Sequence, residues 1–402
     1  MPIRQLLGAT FLGILVLSLG SAVLPRAAGA STDVFTVSDI DVDVTAATAT
    51  EAKEQALAEG HRLAVQRLLL RLLPREEMAR MRELLPPEIL NLVRDFEVGD
   101  ERTSDVRYLA RLTFRFKAEA VRTLLRTEGL LFAETQSKPV LVLAVYGPAG
   151  EARLWEDGNL WDQAWAQRRP EETLVPLSVP LGDLRDVATV DVNQTLSGDR
   201  IRLATLARRY GTEDVLVTQA VLNDDPDAGQ AILQVGSSRL GTQQLQTMLA
   251  SYAQEPGETL SELLTRAANN VDADVQEAWK QRNLLRPGAQ RRIVVSVPIG
   301  SLADWLEVKR RLGAVAAVQK SEVTLLSRKR TELDLTFVGD EQQLILALAQ
   351  SDLDLALNPV SGWQIRITAT PAPTIEPGTP VPPPPAAENV EPVTPPALPS
   401  SE

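Results

Sequence analysis

Cysteine is absent from the 402-residue chain, and histidine occurs once, as His61. Without cysteine the chain forms no disulfide, offers no thiolate nucleophile and takes no lipid through a cysteine at an export-signal junction. That absence does not by itself fix the compartment, because cysteine-free proteins occur on both sides of a membrane. Zinc sites draw on His and Cys, so no structural or catalytic zinc is expected. His61 lies four residues after Leu57 and three before Ala64, near the apolar face of a helical segment, and reads as a partly buried helix residue. The nearest approach to a nucleophile elbow, Gly236-Ser237-Ser238-Arg239-Leu240, lacks the closing glycine of that motif. Neither common glycine pattern for phosphate binding occurs, so nucleotide binding of those kinds is not expected. Asp225 and Asp227 alternate, but no glutamate follows at the calcium-loop position, and with Asp224 they read as a turn. Asp157, Asp162, Asp183 and Asp186 border a loop-rich stretch and read as solvated loop acids. A paired-carboxylate mechanism needs a defined separation in space, which spacing along the chain does not supply. The inventory therefore names no catalytic residue, no metal and no cofactor, and the chain reads as a non-enzyme.

Positive charge is also in short supply. The formal net charge is -12, and a polyanion meets the nucleic-acid backbone with repulsion. Arg291-Arg292 and Arg328-Lys329-Arg330 are short and read as a strand start and a hairpin turn, so no nucleic-acid partner is expected. Apolar length is confined to the start of the chain. Arg4 precedes a mostly apolar, uncharged stretch from 6 to 23, and Ala28-Gly29-Ala30 gives a small-x-small cleavage pattern. That is the layout of a secretory signal peptide, with a mature chain beginning near Ser31. Residues 5 to 25 also reach the length of a membrane span, but Gly8, Gly13, Gly20, Ser18, Ser21 and Pro25 dilute it. Cleavage removes Arg4 and Arg26 and takes the net charge from -12 to -14. Later apolar patches are far too short to span a bilayer, so the expected location is the periplasm.

The mature chain reads as an α+β protein of several small mixed domains. The proposed borders are a signal peptide at 1-30, an N-terminal α+β domain at 31-135, a small α/β domain at 136-255, a long helix plus a ferredoxin-like domain at 256-370, and a Pro-rich tail at 371-402. The first domain opens on a strand over 34 to 44, with Val34, Ile40, Val42 and Val44 on one face and Phe35, Val37, Asp39, Asp41 and Asp43 on the other. Thr48 with Glu51 has the form of a capping box, and Leu57, Gly60, Ala64, Leu68 and Leu72 recur at helical spacing up to Pro74. A short helix over 76 to 84 and a helical turn near Leu90 and Val93 follow. A strand over 106 to 116 alternates Tyr108, Ala110, Leu112, Phe114 and Phe116 with a polar face, and a helix over 118 to 127 closes the unit. The second domain has a doubly covered strand at 139 to 145, a short helix near 160 to 165, an extended edge segment at 173 to 179 and a loop through Leu181, Leu184 and Val190. A helix over 199 to 209 and a hairpin through 215 to 235 complete it. Residues 241 to 254 fit a strand or a helix equally. A long helix over 259 to 281 leads to a β-α-β-β-α-β order, the pattern of a ferredoxin-like plait. Twelve of the last 32 residues are proline, so the tail is expected to be disordered with polyproline-II character.

Three of the six tryptophans, Trp155, Trp161 and Trp165, fall within eleven residues. Their plainer role is to seal a small core; the other is to form a binding surface for a protein or a glycan. The same stretch carries a family likeness. Tyr108-Leu109-Ala110-Arg111-Leu112-Thr113-Phe114, Lys138-Pro139-Val140-Leu141-Val142-Leu143, Leu154-Trp155, Trp161-Asp162-Gln163-Ala164-Trp165 and Val179-Pro180-Leu181-Gly182-Asp183-Leu184 follow the opening strand and helix. Together they resemble the bacterial family called domain of unknown function 2066, over roughly residues 34 to 240. The resemblance implies an exported protein of Gram-negative bacteria and supplies no catalytic residues. The opening is also similar to part of some flagellar-basal-body envelope proteins. The second domain is similar to the small α/β domain that precedes the propeller in periplasmic Tol-system proteins. The resulting expectation is a non-catalytic periplasmic scaffold or adaptor that binds an envelope protein and has no membrane span once its signal is removed. An envelope glycan or small-ligand binding module, and a hydrolase of unrecognised type, are the alternatives.

Overall fold

A computed structural model of the chain describes residues 33-148, 150-168, 173-223, 231-241, 246-285, 290-327, 330-358 and 362-368. The signal peptide expected at 1-30, the turn at 224-227 and the tail at 371-402 lie outside them. The architecture is α+β, built on three sheets.

The first strand, β1 (Thr36–Thr45), departs from simple alternation. Its register against its neighbour shifts between Val37 and Ile40, and Asp39 takes a φ of 53°. One extra residue exchanges the two faces of a strand. Phe35 and Val37 before the bulge, and Ile40 and Val42 after it, therefore all face one core, where strict alternation had separated them. Helix α1 (Ala49–Leu72) starts where Thr48 Oγ1 accepts the Glu51 amide at 3.2 Å. It buries Ala52, Ala56, Gly60, Ala64, Leu68 and Leu72 on the sheet. At Gly60 an added Cβ would stand 2.5 Å from Leu112 Cδ1, so glycine sets how closely helix and sheet approach. Two short helices follow, α2 (Arg75–Arg80) and α3 (Pro86–Leu92). Then comes a strand the sequence reading lacks, β2 (Val93–Thr103), which is exposed along nearly all its length. An edge strand without a buried face leaves no alternation to read. With β3 (Arg107–Phe116) in the centre, the sheet runs β1-β3-β2, and α4 (Ala118–Thr127) closes the unit. The open face of this sheet is self-paired. Arg107 bonds Asp43, Arg111 bonds Asp41 and Asp100, and Arg115 bonds Asp95 and Glu97.

The middle sheet begins with β4 (Val140–Tyr146), buried on both faces as its unbroken apolar run requires. Around it are α5 (Leu160–Gln167), β5 (Leu177–Ser178), α6 (Leu184–Thr189), α7 (Val192–Ser197), α8 (Arg200–Arg209), β6 (Asp214–Asn223), β7 (Ile232–Leu240) and β8 (Gln246–Ala253). The order is β5-β4-β6-β7-β8, parallel across β5, β4 and β6 and antiparallel beyond. The stretch read as a loop through Leu184 thus holds two short helices, and the ambiguous stretch after 241 is a strand.

The long helix α9 (Leu260–Arg282) corrects a domain border. It was placed at the head of the third domain, but Leu263, Leu264, Ala267, Ala268, Val271, Val275 and Trp279 pack with Val140, Val142, Ala144 and Val235 of the middle sheet. Its far end also reaches the first unit. Lys280 Nζ donates to the carbonyls of Leu70 and Leu73 at 3.1 and 2.8 Å and so caps the end of α1.

The third unit contains β9 (Arg291–Pro298), α10 (Leu302–Gly313), β10 (Val318–Leu326), β11 (Arg330–Phe337), α11 (Glu341–Gln350), β12 (Leu353–Asn358) and β13 (Gly362–Ile367). Through β12 this is the β-α-β-β-α-β order of a ferredoxin-like plait. The sheet order, β10-β11-β9-β13-β12, shows the addition: the hairpin partner β13 inserts parallel to β9, between β9 and the edge strand β12. No helix among the described residues is long and apolar enough to cross a membrane.

Candidate interaction surface

The tryptophans flagged by their clustering divide into two groups. Trp161 and Trp165 lie on α5, one helical turn apart, and both are fully buried between β4 and α9. Their rings meet edge to face with centroids 5.9 Å apart, which is core packing and removes them from the binding surface expected of all three. Asn159 sets this helix in place. Its side-chain oxygen accepts the amides of Trp161 and Asp162, and its amide donates to Ala144 O at 2.7 Å. Asp162 is half-buried, and burial pushes its carboxyl above the usual range. Trp155 alone stays half-exposed. Its indole N–H donates to Val190 O at 2.7 Å, and its ring lies against Gly182.

That contact leads to the opposite side of the sheet. The four most exposed large apolar side chains among the described residues are Leu184 at 88%, Leu249 at 84%, Leu181 at 81% and Ile201 at 79%. Three of the four sit on α6, on α8 or on the turn that enters α6. Val187, also on α6, brings the exposed apolar groups of these elements to four. Helix α8 buries Leu203, Leu206 and Ala207 against β4 and β6 and turns Arg200, Ile201, Arg202, Thr205 and Arg208 outward.

The display is rigidly supported. Asp183 caps α6 by accepting the amides of Arg185 and Asp186. Asp186 was read as a solvated loop acid, yet it is fully buried and forms the hub of this region. It accepts hydrogen bonds from Arg209, from the Tyr210 hydroxyl at 2.5 Å and from the Gly182 amide at 3.0 Å. Arg209 also grips Asp183 through two nitrogens, and the Leu181 amide donates to Tyr210 Oη at 2.8 Å. Arg209 holds the Asp183 carboxyl well below the usual carboxylate range, with the Asp186 and Arg185 amides adding to that effect. Burial first, then the hydrogen bond to Asp186, pushes the Tyr210 phenol up to about 12. Arg209 meets the start of α6 while Arg202 donates to Thr189 O at its end, at 3.4 Å, so the two helices lie side by side and antiparallel.

His61 sits half-buried on α1 with Nδ1 2.7 Å from Leu57 O and rings of Phe96 and Phe114 against its edge. Among the described residues no group of three or more His, Asp or Glu side chains is placed to hold a metal ion. A cleft of about 700 Å³ at the start of α9 is lined by Gln167, Glu258, Ser261, Arg266, Asn269 and Asn270 among others, and another of about 330 Å³ lies between β8 and α9. Neither is lined by tryptophan, so the ring-lined pocket a glycan reading calls for is not found at either cleft. Comparison of the chain with protein-family models, with curated proteins and with solved structures returned no match.

Proposed function

We propose that the chain is a non-catalytic adaptor of the bacterial cell envelope, exported by its N-terminal signal, which docks a partner protein on the α6–α8 face. One observation carries the reading: Leu181, Leu184 and Ile201 are among the most exposed apolar groups of the described residues, and a hydrogen-bond network centred on the buried Asp186 ties the turn at Leu181–Gly182 and α6 to the end of α8. Apolar side chains displayed on a rigid base lose little conformational entropy on binding, and contiguous exposed apolar surface marks an interaction site. The segment Val179-Pro180-Leu181-Gly182-Asp183-Leu184 is also part of the likeness to domain of unknown function 2066, so that proposed kinship and the proposed surface fall on the same residues.

The test is a photoactivatable side chain placed in turn at positions 184, 201, 98 and 321 of the full chain in cells. Positions 98 and 321 are exposed sites on β2 and β10. Discrete adducts to another envelope protein from 184 and 201, and none from 98 and 321, are the expected result. Equal adducts from all four positions would contradict the reading.

A further inference from the structure

The α6–α8 face is cationic as well as apolar, and this narrows what can cover it. Arg185, Arg200, Arg202 and Arg208 are exposed and make no ion pair among the described residues. The acids around them are already engaged. Asp183 and Asp186 bond Arg209, Asp191 caps α7 through the Gln194 amide, and Asp199 caps α8 through the Ile201 and Arg202 amides. The contrast with the first sheet is sharp, since Arg107, Arg111 and Arg115 there are each matched by carboxylates. Four exposed arginines without a carboxylate partner among the described residues, on the same two helices as the exposed Leu184 and Ile201, call for an acidic and aliphatic occupant.

The chain carries such a segment. Residues 371-402 contain Glu376, Glu388, Glu391 and Glu402, no Lys or Arg, twelve prolines, and Ile375, Val381, Val390, Val393 and Leu398. Its point of departure is also close to the face. The Thr368 amide donates to Asp352 O at 2.9 Å, the Asp352 carboxylate meets Lys138 Nζ at 2.7 Å, and Lys138 Nζ meets Glu213 at 2.9 Å. Glu213 lies four residues beyond Arg209, the last residue of α8. A proline-rich chain extends about 3.1 Å per residue, so residues 369 to 386 reach about 55 Å, several times the roughly 15 Å length of α8.

We propose that the acidic, proline-rich segment 371-402 docks on the cationic, leucine-bearing α6–α8 face, where it is a tethered competitor of the partner. This rests on the face being an interaction surface, as argued above. Tethering supplies an effective concentration in the millimolar range, so a contact too weak to hold a free peptide is populated in the intact chain. Because the attraction is between exposed charges, it weakens as salt screens them.

A chain without cysteine makes the test direct. Val187→Cys and Ala386→Cys are introduced together into the full chain, and the rate of intramolecular disulfide formation under mild oxidation is measured at low and high salt. The control pairs Ala386→Cys with Ser321→Cys, on the unit from which the segment departs. At low salt the Val187 pair is expected to close at least about tenfold faster than the control, in keeping with docking from a tether, and to approach the control rate at high salt. Arg200→Glu with Arg202→Glu should remove the advantage, and adding Glu388→Lys with Glu391→Lys should restore it. Equal rates for the two pairs, or no response to charge reversal, would overturn the proposal. Disulfide-linked dimers in place of the intramolecular product would also overturn it and make a second copy the occupant. Photo-crosslinks from position 184 to another protein, persisting beside equal trapping rates, would leave the partner reading standing while the tail proposal falls.

Discussion

The two sides of the middle sheet treat large apolar residues in opposite ways. On one side α9 lies along the sheet and closes over α5, so that Trp161 and Trp165, the largest side chains of the region, are hidden. On the other side α8 covers Val215 and Val217, but among the described residues nothing covers α6, and Leu181, Leu184 and Ile201 are exposed. Size and aromaticity therefore do not decide what is displayed. The presence or absence of a long covering helix does. A tryptophan cluster draws attention in a sequence because the residue is rare, whereas two leucines in a short loop-like stretch do not. Here Trp161 and Trp165 build the core, and common residues such as Leu181 and Leu184 make the exposed apolar face.

Substitutions on the two sides sharpen this contrast. On the covered side, Trp161→Ala should cost about 3–5 kcal/mol, the usual range for removing a fully buried aromatic, read from chemical denaturation. Arg239 and Asp214 form an ion pair below the same core, each about 5% exposed, with the guanidinium also near the Trp279 ring. Arg239→Met removes that partner from the buried Asp214 carboxylate, which keeps its electrostatic contact with Arg282, and should cost about 3 kcal/mol, the low end of the range for breaking a buried ion pair. On the displayed side the effects are smaller. Tyr210→Phe removes the hydrogen bond to the Asp186 carboxylate and the acceptor of the Leu181 amide, and should cost about 1.5–3 kcal/mol. The raised Tyr210 pKa gives this contribution a pH signature. The folded state holds the phenolic proton more tightly than the unfolded state does, so the contribution is intact below about pH 10 and lost as pH rises towards about 12. The Asp183–Arg209 pair behaves in the opposite sense. Its carboxyl is depressed, so its contribution is full above the ordinary aspartate range and is lost only in strong acid. Melting curves of the parent and of Tyr210→Phe across alkaline pH should converge if the first assignment holds. Smallest of all, Leu184→Asp should change stability by no more than about 0.5 kcal/mol, as surface substitutions do, yet abolish partner capture. A loss of stability at Leu184 comparable to that at Trp161 would erase the distinction between the two sides.

Much of the fold was legible wherever one physical signal dominated. The cap at Thr48, the small-residue stripe of α1, the doubly covered β4 and the strand-helix order of the third unit all follow from periodicity and capping chemistry. What was hidden depended on neighbours. The bulge at Ser38 and Asp39 reverses parity and is visible only against β3. The edge strand β2 carries no buried face, and α9 could be assigned to a sheet only once the uncovered side of β4 was known. The candidate surface was half legible. Leu181 and Leu184 stood in a motif already noticed, but as loop residues. Asp183 and Asp186 read as solvated acids in the sequence, although an aspartate at 183 followed by a short amphipathic stretch is an N-cap signal for α6. The burial of Asp186 arises from Arg209 and Tyr210, more than twenty residues away along the chain, and no local pattern announces it.

The most direct test of the central claim compares the parent chain with the Leu181→Asp, Leu184→Asp double variant in an in-cell crosslinking pull-down from envelope fractions. Equal export and an unchanged melting curve establish that both chains are folded. The account predicts a reproducible envelope-protein partner with the parent chain and its loss with the double variant. The same partner recovered in equal yield from both chains would contradict it.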